Sequence, residues 1–546
     1  MHDDSIYNLT LSSVLQNHSQ SISSVRLYEE ECKGEDPIQG LTLLTSSFDF
    51  TCCIWKVDEE SGVWSVETTL GEMSGNKHAY YGAEFLERNK VFAYTFNGAF
   101  HRWDFEDSTW RPKPCVTGHF DEVPDLDWDP TRNYLVTTSK DQTTRVYSFC
   151  KNINKWCEIS RPQVHGYDIN CIAFLKSNQD DSNSDLQFAP HVVSGADEKI
   201  LRVFDPPFSF IKSANKYSEC NLRFTKDLTN EEIEQRIIGK HTEVASMTLG
   251  LMNKPVISKK NLRIDDEENP GVTVEDFEPD VLTNKKDAGE DIVEDGSSDI
   301  MLTEEYLMNK TRWPERNKLY GHVYEIYCVA TTKKGDYIVT AAQSKKKKYS
   351  NIFVWSLSSL NPICQLTAHE FTIHQLEFSP DDQYLLSVSR DRQFSVFKRN
   401  DDAKEPFKLA QIQNQAHKRV LWCCSWSHNS KLFATGSKEK TNSLKFWDYS
   451  SEETKWIEHS SIAKSISNVT ALAFFPSLIQ NSSAFGIVVG QESGEITIWT
   501  KPASQDVKIW EKVYSFPDYY NHSMIIRRLK FKEVSKAENE VYHIAT

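Results

Sequence analysis

Several histidines are each followed, further along the chain, by a carboxylate: His18 by Asp49, His119 by Asp141, His165 by Asp197 and His369 by Asp391. Such a pair could act as a general base with its orienting acid. It could equally be a buried tie in which each group satisfies the other's hydrogen bond. The surrounding residues favour the tie. Around His119 the stretch 118–147 reads GHFDEVPDLDWDPTRNYLVTTSKDQTTRVY. Three short runs rich in Val, Thr, Tyr, Trp and Leu are Asp125–Trp128, Tyr134–Ser139 and Thr143–Phe149, with Asp129-Pro130 and Asp141 in the turns between them. That is a pattern of short strands and tight turns. His119 is then expected to bond Ser139 or Thr143, and Asp141 the imidazole.

The unit resembles one WD repeat, a blade of a β-propeller, with Tyr147 where WD repeats usually close on Trp-Asp. It recurs along the chain. The first copy carries His18, Asp49 and Trp55, and the second closes at Trp103-Asp104 with Asn97 at its acid position. The third is the stretch above, and the fourth carries His165, Asp197 and Phe204. After a gap the unit resumes with His322 and Trp355, then His369 and Asp391, then His417 and Trp447, then a weaker copy closing at Trp499. A last copy begins at Ile525–Phe531. The reading is all-β, with tandem WD-repeat propellers: residues 1–207 as one, 208–311 as a spacer, 312–546 as a second. Both propellers look incomplete, which points to a fragment of a longer protein.

The spacer holds one helical pattern, Leu228–Ile238, with Thr229 as N-cap and Glu232 three residues on. From Asp265 to Glu305 sixteen acidic residues face two lysines, as in a solvated excursion. The net charge of −16 argues against a protein that coats nucleic acid along its whole surface. No apolar run is long enough to span a membrane, and the start MHDDSIYNLTL has no signal-peptide pattern. The cysteines include no Cys-x-x-Cys and mostly fall in strand-like runs, as buried reduced thiols do. These features predict an intracellular protein, cytoplasmic or also nuclear.

A search for nucleophile-elbow, P-loop and zincin motifs finds none. We therefore expect no catalytic set, cofactor or metal. One charge pattern stands apart from the repeat. Lys345, Lys346, Lys347 and Lys348 fall in one blade's turn, and Arg390 and Arg392 flank the turn acid of the next. Lys418 and Arg419 enter the blade after that, whose own turn carries Lys438 and Lys440. Three consecutive blades would show a basic arc on one face, suited to phosphates or an acidic protein surface.

Longer phrases are more specific than the repeat itself. GHFDEVPDLDWDP with KDQTTRVY, RPQVHGYDINCIAF, VSGADEKILRVFDPP, WPERNKLYGHVYEIYCVA and VSRDRQFSVF occur in that order. Together they resemble the second subunit of the Elongator complex, over most of the chain from about residue 40. The resemblance implies two seven-bladed propellers and a scaffold role. Such a scaffold holds the largest Elongator subunit and the catalytic radical S-adenosylmethionine and acetyltransferase subunit together, in modification of wobble uridines in transfer RNA.

Overall fold

The computed structural model describes residues 11–29, 41–175, 187–218, 302–532 and 544–546, and the short strands at 222–223, 244–245 and 256–257. Within those ranges 12, 59–61, 72–78, 97, 131–132, 151–153, 189–190, 401, 403, 440, 463–467, 478–483 and 503–508 are not described. Asn97, Lys440, the helical pattern at 228–238 and the acidic stretch up to residue 301 therefore lie outside the described residues. Of that stretch, Glu304 and Glu305 open a short helix, Glu304–Lys310, capped by the Thr303 hydroxyl accepting from the Tyr306 amide.

The chain forms two compact units, Met1–Phe120 with Val244–Thr311, and Asp121–Glu243 with Arg312–Thr546. The first holds two four-stranded antiparallel sheets, whose strands span Ile22–Leu70 and Tyr80–Lys113. Leu44, Ile54, Tyr80, Val91 and Trp103 pack between them.

Among the described residues the second unit holds six four-stranded sheets and two of two strands, and the ring is built from the six and from the pair Lys530–Phe531 with Ile544–Ala545. Their innermost strands are Asp125–Trp128, Ile169–Leu175, Ile326–Thr331, Ile373–Phe378, Leu421–Trp426, Val469–Phe474 and Lys530–Phe531. Each packs against the next, and the seventh returns to the first, so the sheets close a seven-bladed ring. Closure removes the inner edges that an open array would leave.

The ring departs from the division expected at 207 and 312. The third and fourth repeats share one ring with everything after 321. The reason lies in one sheet. Ile200–Phe204 pairs with Glu315–Tyr320, matching Ile200 to Tyr320 and Leu201 to Leu319. The expected spacer is thus an insertion between the third and fourth strands of a single blade. Trp313 locks its far end in place, fully buried, with its indole N–H donating to Ser160 Oγ at 3.0 Å and its ring against Phe210.

The apolar core sits between blades rather than within them. Cys171, Val193 and Leu201 of the second blade meet Ile326, Ile338 and Trp355 of the third. Glycine opens some of these seams. A Cβ on Gly195 would lie 2.5 Å from Ile326, and one on Gly436 would lie 2.6 Å from Val469. Only a residue without a side chain lets the next blade's β-branched residue approach so closely.

Candidate interaction face

In four blades the turn histidines form polar ties that end on a hydroxyl. His18 lies 3.0 Å from Asp49 through Nδ1 and 2.8 Å from Thr45 Oγ1 through Nε2. Trp55 Nε1–H donates to the same Thr45 oxygen at 2.9 Å. His369 repeats the arrangement with Asp391 at 3.0 Å and Ser387 at 2.8 Å. With Nδ1–H donated to the carboxylate, Nε2 is free to accept the hydroxyl proton. Burial works against ionising Asp391, yet bonds from His369, Glu370 N–H and Gln393 N–H hold its carboxyl below the usual range. These residues are saturated by one another, which is a structural arrangement.

One blade uses a different acid from the one the sequence suggested, and another uses a glutamate where the sequence suggested none. His165 Nε2 pairs with Glu198 Oε1 at 3.0 Å, while the exposed Asp197 accepts from Asn170. The Asp197 amide is bonded to Asp168 O, so the longer Glu198 is the side chain that reaches the ring. Burial would raise Glu198, but His165 and Arg202 hold it at about 2. Likewise His417 Nδ1 lies 3.3 Å from Glu439, with Nε2 on Thr435 at 2.9 Å and Trp447 Nε1–H on the same hydroxyl. His322 bonds Thr340 at 2.7 Å, as does Trp355 at 2.8 Å. No carboxylate is paired with His322 among the described residues, and burial pushes it down to about 4.

His119 is half-buried. Asp141 accepts from the Thr143 amide and hydroxyl, at 2.9 and 2.6 Å. The signal the sequence reading passed over is the hydroxyl four residues before the acid: Thr45, Ser387 and Thr435 precede Asp49, Asp391 and Glu439 by that interval.

The basic residues gather on the ring unit around two cavities. One, of 760 Å³, is lined by His374, Arg390, Lys418, Arg419, Trp422 and Lys438 among others. The second, of 600 Å³, is lined by Lys347, Arg390 and Arg392 with Glu370 and Phe371. Arg390 borders both. Neither Arg390 nor Arg392 pairs with Asp391, and neither Lys418 nor Arg419 has an ion-pair partner among the described residues. The Lys418 and Arg419 amides both donate to Glu439, which fixes this corner of the face.

Lys438 pairs with Glu492 at 2.7 Å and lies 4.7 Å over the Trp422 ring. His374 stacks on the same indole at 4.4 Å. Lys345, Lys346 and Lys348 are exposed and line neither cavity, and Lys347 pairs with Glu370 at 3.1 Å. Among the described residues no group of three or more His, Cys, Asp or Glu converges as a metal set, and no helix is long and apolar enough to cross a membrane.

Comparison with known proteins adds what geometry cannot. The model of the WD domain, G-beta repeat, matches residues 110–148, 360–398 and 409–448. Elongator complex protein 2 of Rattus norvegicus is 34% identical over 556 residues, which is 96% of this chain and 63% of the relative. This is a WD-repeat protein that resembles Elongator complex protein 2 along almost its whole length. The proteins of that name from Homo sapiens and Arabidopsis thaliana are each 32% identical, over 97% and 90% of the chain. The chain spans a little under two-thirds of the length of the curated relatives it matches. Each repeat match runs from one blade's outer strand into the next blade's first three strands, as at Pro362–Leu366 followed by Ile373–Arg399.

Proposed function

We propose that the chain acts as a non-catalytic scaffold subunit of Elongator, bridging its largest and catalytic subunits during modification of wobble uridines in transfer RNA. The observation that carries this reading is the likeness to proteins named Elongator complex protein 2 over 96% of the chain. The ties around His18 and His369 support it, because their polar groups are committed to the fold rather than presented to a substrate. Purification of the full-length gene product from its native cells, followed by mass spectrometry, tests it. The largest and catalytic Elongator subunits should come down in stoichiometric amounts, and their absence defeats the proposal.

The basic face favours a second reading, a surface for transfer RNA or an acidic partner. Arg390, Lys418 and Arg419 bring positive charge to a cavity that also holds Glu439, committed to His417, and Glu492, committed to Lys438. Trp422 is already engaged by His374 and Lys438, so the cavity offers charge rather than a free stacking platform. That suits backbone phosphates better than bases.

A further inference from the structure

The seam between the seventh and first blades of the ring is built unlike its neighbours. On its sixth-blade side, Ile526 and Leu529 are buried against Ala471, Ala473, Val488 and Ile496. Thr470 Oγ1–H donates to Ile526 O at 2.7 Å, and a Cβ on Gly490 would lie 2.9 Å from Ile526. On the first-blade side the contacts are ionic. Arg527 meets Glu122, Arg528 Nε donates to Asp125 at 3.0 Å, and Lys530 Nζ donates to Asp127 at 2.9 Å. Trp128 Nε1–H adds a bond to Lys530 O at 3.0 Å.

The two aspartates do double duty. The second oxygen of Asp125 accepts from the Ile172 amide at 3.1 Å, and that of Asp127 accepts from the Phe174 amide at 2.9 Å. Each carboxylate thus ties the first blade to the second while holding a cation from the seventh. Among the described residues no other seam sets three cations from one short run against the carboxylates that enter and form a single inner strand.

We infer that Ile526–Phe531 is a latch, fixed to the sixth blade by apolar burial and to the first by charge, and that the ring opens first at the seam between the seventh and first blades. The seventh blade's inner strand is only two residues long. Lys530 is 37% exposed and Arg527 28%, so salt reaches both of these pairs. An apolar seam responds in the opposite sense, because salting-out favours burial.

Hydrogen exchange on the 546-residue chain in 0.1 M and about 1 M NaCl tests the inference. Peptides covering Asp125–Trp128 and Ile526–Phe531 should exchange faster together in high salt. Those covering Ile373–Phe378 and Leu421–Trp426 should hold. A variant combining Asp127→Asn with Lys530→Met removes one pair without stranding a charge, and Asn still accepts from Phe174. It should raise exchange at both seam stretches roughly fivefold with the circular dichroism spectrum retained. The latch is overturned if another seam exchanges first in the unaltered chain. It is equally overturned if salt and the paired substitution leave the seam stretches unchanged.

Discussion

Thr435 Oγ1 lies 2.9 Å from both His417 Nε2 and Trp447 Nε1. Replacing it with valine keeps the volume and strands two buried groups. Thr435→Val should cost about 2–6 kcal/mol, the sum for two unsatisfied polar atoms, whereas Thr435→Ser should cost much less. Urea unfolding followed by tryptophan fluorescence would show it, and equal midpoints for the two variants would contradict the tie.

His322 makes a second prediction at this scale. Its pKa falls from about 6.5 unfolded to about 4 folded, because burial disfavours the charged ring. The unfolded chain then binds the extra proton, so stability is lost as pH drops from 6.5 towards 4 and levels off below. Glu377, pushed up to about 7 by burial, works in the opposite direction over an overlapping window. Comparison with His322→Gln isolates the histidine. The unaltered chain should lose up to about 3 kcal/mol more than the variant between pH 7 and 4.

Two of these ties, His18 with Asp49 and His369 with Asp391, were legible as His–Asp spacing. What the spacing hid was the choice of acid. Asp197 and Glu198 are adjacent, and only the backbone bond from the Asp197 amide to Asp168 O turns one away from His165 and leaves the other to reach it.

Elements were legible in proportion to how apolar they are. Inner strands such as Val469–Phe474, buried at every residue, stand out as short apolar runs. Outer strands carry a weaker signal, since one side faces water. Glu315–Tyr320 reads ERNKLY, with Leu319 its one well-buried residue. Its partner strand lies far back along the chain, with Arg202 bonded to Glu315 across 113 residues. No local pattern could join them, and the sheet was read as ending before a spacer. Lys318→Pro tests the pairing. Lys318 faces Arg202 in the ladder, and proline, with no N–H and a fixed φ, fits a pleated strand poorly. The change should lower ring stability by roughly 3 kcal/mol, the scale of proline's cost inside regular structure. Thermal unfolding no different from the parent chain would show that this strand contributes little to the blade.

For the whole molecule, charge distribution says more than net charge. A chain of net −16 still gathers Arg390, Arg392, Lys418 and Arg419 on one face of its ring. If that face holds RNA, reversing Arg390, Arg392 and Arg419 to glutamate should weaken binding at least about tenfold at low salt. It should also flatten the dependence of affinity on salt, since fewer counterions are released. All three side chains lie on the surface, so the melting temperature should move little. Unchanged affinity and slope in a filter-binding series would remove the RNA reading while leaving the scaffold proposal intact.

The ring's topology sets a schedule for its birth. Asp127 and Lys530, which meet at the seam, are 403 residues apart in the chain. At a synthesis rate of about 5–20 residues per second, the inner strand of the first blade waits roughly 20–80 s for its partner to leave the ribosome. The second blade waits too, because its outer strand is made only after the insertion. Throughout that interval unpaired strand edges face a crowded cell. A nascent chain of this design should depend on chaperones that bind exposed edges. Codon changes that slow translation between 205 and 530 should lower its soluble yield without altering a single residue of the finished protein.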